Sequence, residues 1–225
     1  MNWVPRDVEN DPDAARELKL LGLSTVPVTA VGDRYVIGYN PARLKELLDL
    51  PGAERWEAEP AELFSALDQL LTAVQAAVRQ IPKDRLGYTS PDRDRTLRVF
   101  GIHIAHRVQR GLDAAGTLTF AASTKAMYED AARPHQTPEQ IATYAAEVQR
   151  RLRAWRAEAG HAPLERVVNA YNGRITLLQL FEMITNHTAH HLRQLYVFMA
   201  RIGVEPRDPL QVEQLRGVTV LQSVF

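Results

Sequence analysis

The chain has 225 residues, 27 basic and 27 acidic side chains, 45% hydrophobic residues and no cysteine. A net charge of zero argues against a general electrostatic grip on nucleic acid or an anionic membrane, and no apolar run reaches the roughly 18 residues that span a bilayer. The lack of cysteine excludes disulfides, thiolate metal sites and a cysteine nucleophile, so any metal must rest on His, Asp, Glu and water.

In chain order, residues 1–50 read as a small mixed unit. The opening "MNWVPRDVENDPDAARE" is acidic and broken by prolines, unlike a secretory signal, and a cytoplasmic location is the expectation. "DPDAARELKLLG", Asp11 to Gly22, predicts a helix with a capping Asp, a Pro in the first turn and a closing Gly. "TVPVTAVGDRYVIGYN" gives two β-rich runs, Val26 to Val31 and Tyr35 to Tyr39, joined by a tight Gly-Asp turn. "PARLKELLDL", Pro41 to Leu50, predicts a second short helix. Two strands make an incomplete sheet whose edges invite pairing, and a homodimer is expected. Pro27 sits between Val26 and Val28 at the mouth of a strand, where a cis Val26–Pro27 bond is expected. Fifty residues is near the lower limit for independent folding, so the unit is expected to lean on the rest of the chain or on a second copy.

Residues 51–59, within "PGAERWEAEP", read as a linker. From residue 60 onward the pattern changes to long helices. Ala61 to Ile81 places Leu63, Leu67, Leu70, Leu71, Val74 and Val78 on one stripe. Arg93 to Ala115 predicts a second long helix. The third starts at Thr137, with Pro138 in the first turn and Gln140 where a capping box wants Glu or Gln, and runs to about Glu158. The fourth runs from Thr176 to a closing Gly203. Four such helices after a linker predict a mainly α chain, a four-helix bundle over residues 60–225. The gap from Gly116 to Gln136 leaves room for a crossover.

Seven histidines occur in the chain, and three of them crowd into "NHTAHH", Asn186 to His191. His187 and His191 lie one helical turn apart, on a face shared with Leu180, Ile184, Gln194, Leu195 and Phe198. Two imidazoles buried there without partners would cost about 1–3 kcal/mol each, a penalty that a shared cation removes. The alternative is a pair of core histidines satisfied by side chains or water. The second helix offers His103 and His106. His103 shares its stripe with Val99 and Phe100 and is the better third ligand; His106 projects toward Gln109 and Arg110 and reads as a rim residue. His190 falls beside Glu182 and Arg193 on a more exposed face, and His135 and His161 lie in loops near prolines. Three imidazoles would leave an open position on zinc, nickel or iron, as catalytic sites do.

"LRVFGIHI" in the second helix and "LLQLFEMITNHTAHHLRQL" in the fourth, continued loosely through "GVEPRDPL", resemble the DinB/YfiT-like superfamily of four-helix-bundle metalloenzymes over roughly residues 60–215. The resemblance implies one divalent metal ion per chain on His103, His187 and His191. A bulky residue often precedes the first histidine of the fourth helix in that family; here it is Asn186. Characterised relatives resemble thiol-dependent S-transferases and isomerases that use a low-molecular-weight thiol.

The segment "DVENDPDAARELKLLGLSTVPVTAVGDRYVIGYNPARLKELL" is similar to the second half of a glutaredoxin, a thioredoxin fold lacking its opening strand and its catalytic cysteine. The resemblance implies that the backbone at Val26 and Pro27 places a thiol; a purely structural turn is the alternative. Together these features predict a metal-dependent enzyme acting on small electrophiles with a thiol, with a hydrolase or a non-catalytic metal- or ligand-binding module as alternatives. No nucleic-acid or membrane partner is expected.

Overall fold

The computed structural model describes residues 4–8, 10–23, 26–38, 41–50, 59–91, 94–159 and 162–218. It contains two compact units, Met1–Trp56 and Glu57–Phe225. The expected linker lies largely outside the described residues, as do Thr25, Tyr39 and Arg93.

The first unit runs helix, strand, strand, helix. Helix α1 spans Pro12–Leu20 and starts where the sequence places it, because the Asp11 carboxylate accepts the otherwise orphaned N–H groups of Asp13 and Ala14. It closes at Gly22, whose φ of 72° belongs to the left-handed region that a helix end favours. Strands β1 (Val28–Val31) and β2 (Arg34–Ile37) pair antiparallel, Val28 opposite Ile37, around a turn with Gly32 at positive φ. Helix α2 covers Pro41–Leu47. The Val26–Pro27 peptide is cis. The buried apolar side chains of this unit are few among the described residues: Ala14, Val36 and Leu47.

The second unit is the four-helix bundle. Helix α3 (Pro60–Arg79) buries the whole predicted stripe, from Leu63 to Val78. Helix α4 covers Leu97–Thr117. It begins four residues after the predicted Arg93 because the Thr96 hydroxyl accepts the Val99 N–H and caps it there, and it stops where Leu118 turns left-handed. A short strand β3 (Thr119–Phe120) and helix α5 (Lys125–Ala132) fill the gap that the sequence leaves as a crossover. Helix α6 spans Pro138–Ala159 with the expected capping box: the Thr137 hydroxyl accepts from Gln140 N–H and the Gln140 side chain accepts from Thr137 N–H.

Strands β4 (Val167–Ala170) and β5 (Gly173–Thr176) form a hairpin, and β3 joins β4 in parallel. The sequence reading lacks this sheet, although "VVNAYNGRIT" carries both the alternation and an Asn-Gly turn. Helix α7 (Leu177–Arg201) follows β5 directly; Thr176 and Gln179 close a capping box at its start.

Helices α3 and α4 each pack against both α6 and α7, so α3 and α4 stand on opposite corners of the bundle, as do α6 and α7. The histidine-bearing helices α4 and α7 are therefore direct neighbours. Their approach is close at Gly111, where an added Cβ would meet the Ile184 Cδ1 at 2.3 Å. Among the described residues no helix is long and apolar enough to cross a membrane.

Candidate metal centre

Periodicity puts His103 on the inward face of α4, and Phe100 one turn earlier helps to cover it: the two rings stack at 6.2 Å. On α7, His187 and His191 are separated by one turn and project toward the same neighbour. The three side chains meet. One ligand nitrogen from each of His103, His187 and His191 lies within 4.8 Å of the others, and among the described residues this cluster holds imidazoles and no carboxylate. His103 is 5% exposed, His191 is buried and His187 is half-buried.

The hydrogen bonding around the cluster is uneven. Nε2 of His191 faces Nε2 of His187 at 3.1 Å. On its other side, Nδ1 of His191 lies 2.6 Å from the Gln194 carbonyl oxygen, which can only accept, so Nδ1 carries the proton and Nε2 keeps its lone pair toward the cluster. The Gln194 amide is itself oriented, since its nitrogen lies 3.2 Å from His190 Nε2. This is the arrangement by which an outer partner fixes the tautomer of a metal-binding histidine. Gln194 was placed on the histidine face by periodicity, but that pattern gives no sign of its bond to His191.

His103 is the opposite case. Among the described residues neither of its ring nitrogens has a hydrogen-bond partner, and both are buried; the same holds for Nδ1 of His187. Such groups cost about 1–3 kcal/mol apiece when left unmade. Burial, aided by the nearby charges of His191, Arg95 and Arg107, pushes the His103 pKa well below the ordinary imidazole value. Burial and the same kind of positive surroundings push His187 well below it too. Both rings are thus neutral, the form that a cation needs. An all-imidazole donor set with orphaned ring nitrogens fits a borderline divalent ion such as zinc, nickel or iron.

Tyr128 on α5 completes the wall. It is buried, and its ring stands edge-on to His103 at 4.1 Å. Nothing in the local sequence pattern marks Tyr128, because its proximity to His103 is set by how α5 packs on α4. His106 is half-buried rather than solvated: its Nδ1 is 2.6 Å from the Tyr144 hydroxyl. Burial pushes that phenol up to about 12, so it keeps its proton. His190 is half-buried, and the structure places neither His106 nor His135 in the cluster. His161 lies outside the described residues.

With this geometry in place, the relationship to known proteins can be read. Residues 100–195 match the family model of the DinB superfamily. The matched span runs from Phe100 on α4 to Leu195 on α7 and includes all three histidines of the cluster. Comparison with curated proteins gives no match. Among solved structures, a DinB-like protein from Bacillus subtilis is similar at 16% identity and a TM-score of 0.48, covering 63% of this chain and 91% of that one.

Proposed function

We propose that the bundle is a metal-dependent enzyme in which His103, His187 and His191 hold one divalent cation and a small thiol, or water, is the nucleophile toward a small electrophile. The observation that carries this reading is the convergence of three imidazoles from two helices, with both nitrogens of His103 left without partners among the described residues. Once bound, such an ion would lower the pKa of a coordinated thiol or water, or polarise a substrate oxygen. The chain's own contribution is position and exclusion. Gln194 holds the His191 ring in one tautomer, while Phe100 and Tyr128 cover His103 with apolar surface. The thiol part of the reading rests on the resemblance of residues 5–50 to a glutaredoxin, in which the backbone at Val26 and Pro27 would align the thiol.

A non-catalytic metal-binding module is the second reading. It is favoured by the cluster's holding, among the described residues, no carboxylate that could serve as a general base.

Elemental analysis of the full-length protein should find about one divalent ion per chain. A panel of thiol-conjugation and hydrolysis assays then separates the readings, since an enzyme loses turnover with its metal and a binding module has none to lose. Activity persisting in chelator-treated protein would sink the metal-enzyme reading. Pro27→Ala should raise the KM for thiol and leave metal content unchanged if the N-terminal unit aligns that substrate. The chain is further proposed to pair as a homodimer through the strand edges of its N-terminal unit; a strictly monomeric species in sedimentation at tens of micromolar would refute this.

A further inference from the structure

Close to the histidines the bundle holds a buried guanidinium. Arg107 lies one turn after His103 on α4 and is 6% exposed. Among the described residues it pairs with no carboxylate. Its Nη1 donates to the Ser123 hydroxyl at 3.1 Å, its Nη2 reaches the Tyr171 hydroxyl only at 3.5 Å, and its Nε is buried without a partner. Arg110, three residues on, also meets no carboxylate among the described residues. It donates to the same Ser123 hydroxyl and, at 2.6 Å, to the Ala121 carbonyl. Both guanidinium groups lie over the ring of Phe120, at 4.6 and 4.9 Å. The Tyr128 hydroxyl reaches the same serine oxygen at 2.8 Å.

Three donor groups thus converge on one neutral hydroxyl, which offers two lone pairs. Two cations supply up to ten N–H groups between them, by the donor count of a guanidinium, and find two hydroxyls and one carbonyl. The cluster is rich in donors, poor in acceptors and lacks negative charge. Guanidinium groups left in this state match an oxyanion, and the side-on edge made by Nε and Nη2 of Arg107 matches a carboxylate or phosphate in two-point contact. Ser123 is half-buried between exposed neighbours, Ala122 and Thr124, in the loop before α5. The link to the metal centre is Tyr128, whose ring meets His103 while its hydroxyl meets Ser123.

We infer that Arg107 and Arg110, with Ser123 and Tyr128, form an oxyanion-binding subsite beside the histidine cluster, and that the substrate of this site carries a carboxylate or phosphate group. The inference rests on the metal-centre reading only for where the reacting end of that substrate lies. Anion binding itself requires no metal.

The test is therefore a calorimetric titration of full-length, chelator-treated protein with inorganic phosphate and, in a second arm, with acetate, each at constant ionic strength made up with chloride. Saturable binding of either anion at one site per chain is expected, and the arm that binds distinguishes a phosphoryl from a carboxylate group. Arg107→Gln should weaken that binding roughly 10- to 100-fold, as expected for loss of charge-assisted hydrogen bonds, and leave metal stoichiometry unchanged. Arg110→Gln, at a part-exposed position, should weaken it in the same direction. The inference is overturned if neither anion binds the wild-type protein saturably, or if a folded Arg110→Gln protein binds as tightly as wild type. Because the readout is anion binding without metal, its failure leaves the histidine reading standing, and loss of metal binding leaves this one standing.

Discussion

Two polar clusters lie inside the same bundle, and the chain treats them differently. Between α3 and α6, Gln149 is buried and satisfied at both ends of its amide. Its nitrogen donates to the Asp68 carbonyl at 2.9 Å and the Thr72 hydroxyl at 2.8 Å, and its oxygen accepts from Gln75 at 2.8 Å. Between α4 and α7, His103 is buried to a similar degree, and among the described residues its two ring nitrogens have no hydrogen-bond partner. The first cluster is closed by the protein's own groups and serves to register two helices. The second is open, and its histidines are complementary to a cation that the chain does not supply. Burial alone does not separate structure from function here; completeness of hydrogen bonding does.

The largest expected effect separates the two outright. The triple variant His103→Ala, His187→Ala, His191→Ala should lose the metal altogether, and His191→Ala alone should remove it, whereas Gln149→Ala should keep about one ion per chain by elemental analysis. Full metal content in the triple variant would overturn the contrast.

Acid comes next. The pKa values of His103 and His187 are depressed in the folded protein. An unfolded chain then takes up protons near the ordinary value of about 6.5 while the folded one does not. The stabilising contribution of neutrality is therefore complete above that pH and is lost as pH falls below it. The thermal midpoint of chelator-treated protein should drop between pH 7 and 5, and the triple alanine variant should show a shallower fall in that window. Equal slopes would mean that the histidines are not held neutral.

On the closed side, Gln149→Ala strips partners from Gln75 and Thr72. It should cost about 1–3 kcal/mol in urea unfolding with metal affinity unchanged. The smallest effect is expected at Gly111→Ala, which must displace the buried Ile184 side chain on α7. A loss of about 1 kcal/mol is expected, since overpacking costs about 1–3 kcal/mol and the atom met is the end of a side chain. A stability equal to wild type would show that α4 and α7 are not held at contact distance there.

The contrast also explains what the sequence revealed. The bundle was legible because its signals are local: an apolar stripe from Leu63 to Val78, a Thr-Pro-x-Gln start at Thr137 and a histidine pair at one-turn spacing. His103 was favoured over His106 by helix face, and the structure brings His103, not His106, to His187 and His191. The three-stranded sheet was missed although the Asn-Gly pair at its hairpin was in view, because strands of two to four residues were overshadowed by the helical pattern on either side. Tyr128, Ser123 and the bond from Gln194 to His191 were beyond reach for another reason. Each depends on segments distant in sequence or on a particular side-chain rotamer, and neither leaves a periodic trace. In the N-terminal unit, the order helix, strand, strand, helix follows from caps and turn residues alone, while its functional likeness to a glutaredoxin is a matter for the thiol assays.

Thr176 is at once the last residue of β5 and the cap of α7. No spacer separates the sheet from the helix, so the hairpin sets the rotational phase from which the histidines are counted. Each residue advances a helix by about 100°; one residue inserted between Thr176 and His187, with the cap retained, would swing both imidazoles away from α4 together. One deletion would do the same in the other sense. This stretch therefore behaves as a reading frame, and the eleven steps from Thr176 to His187 count as a ruler as well as a run of side chains.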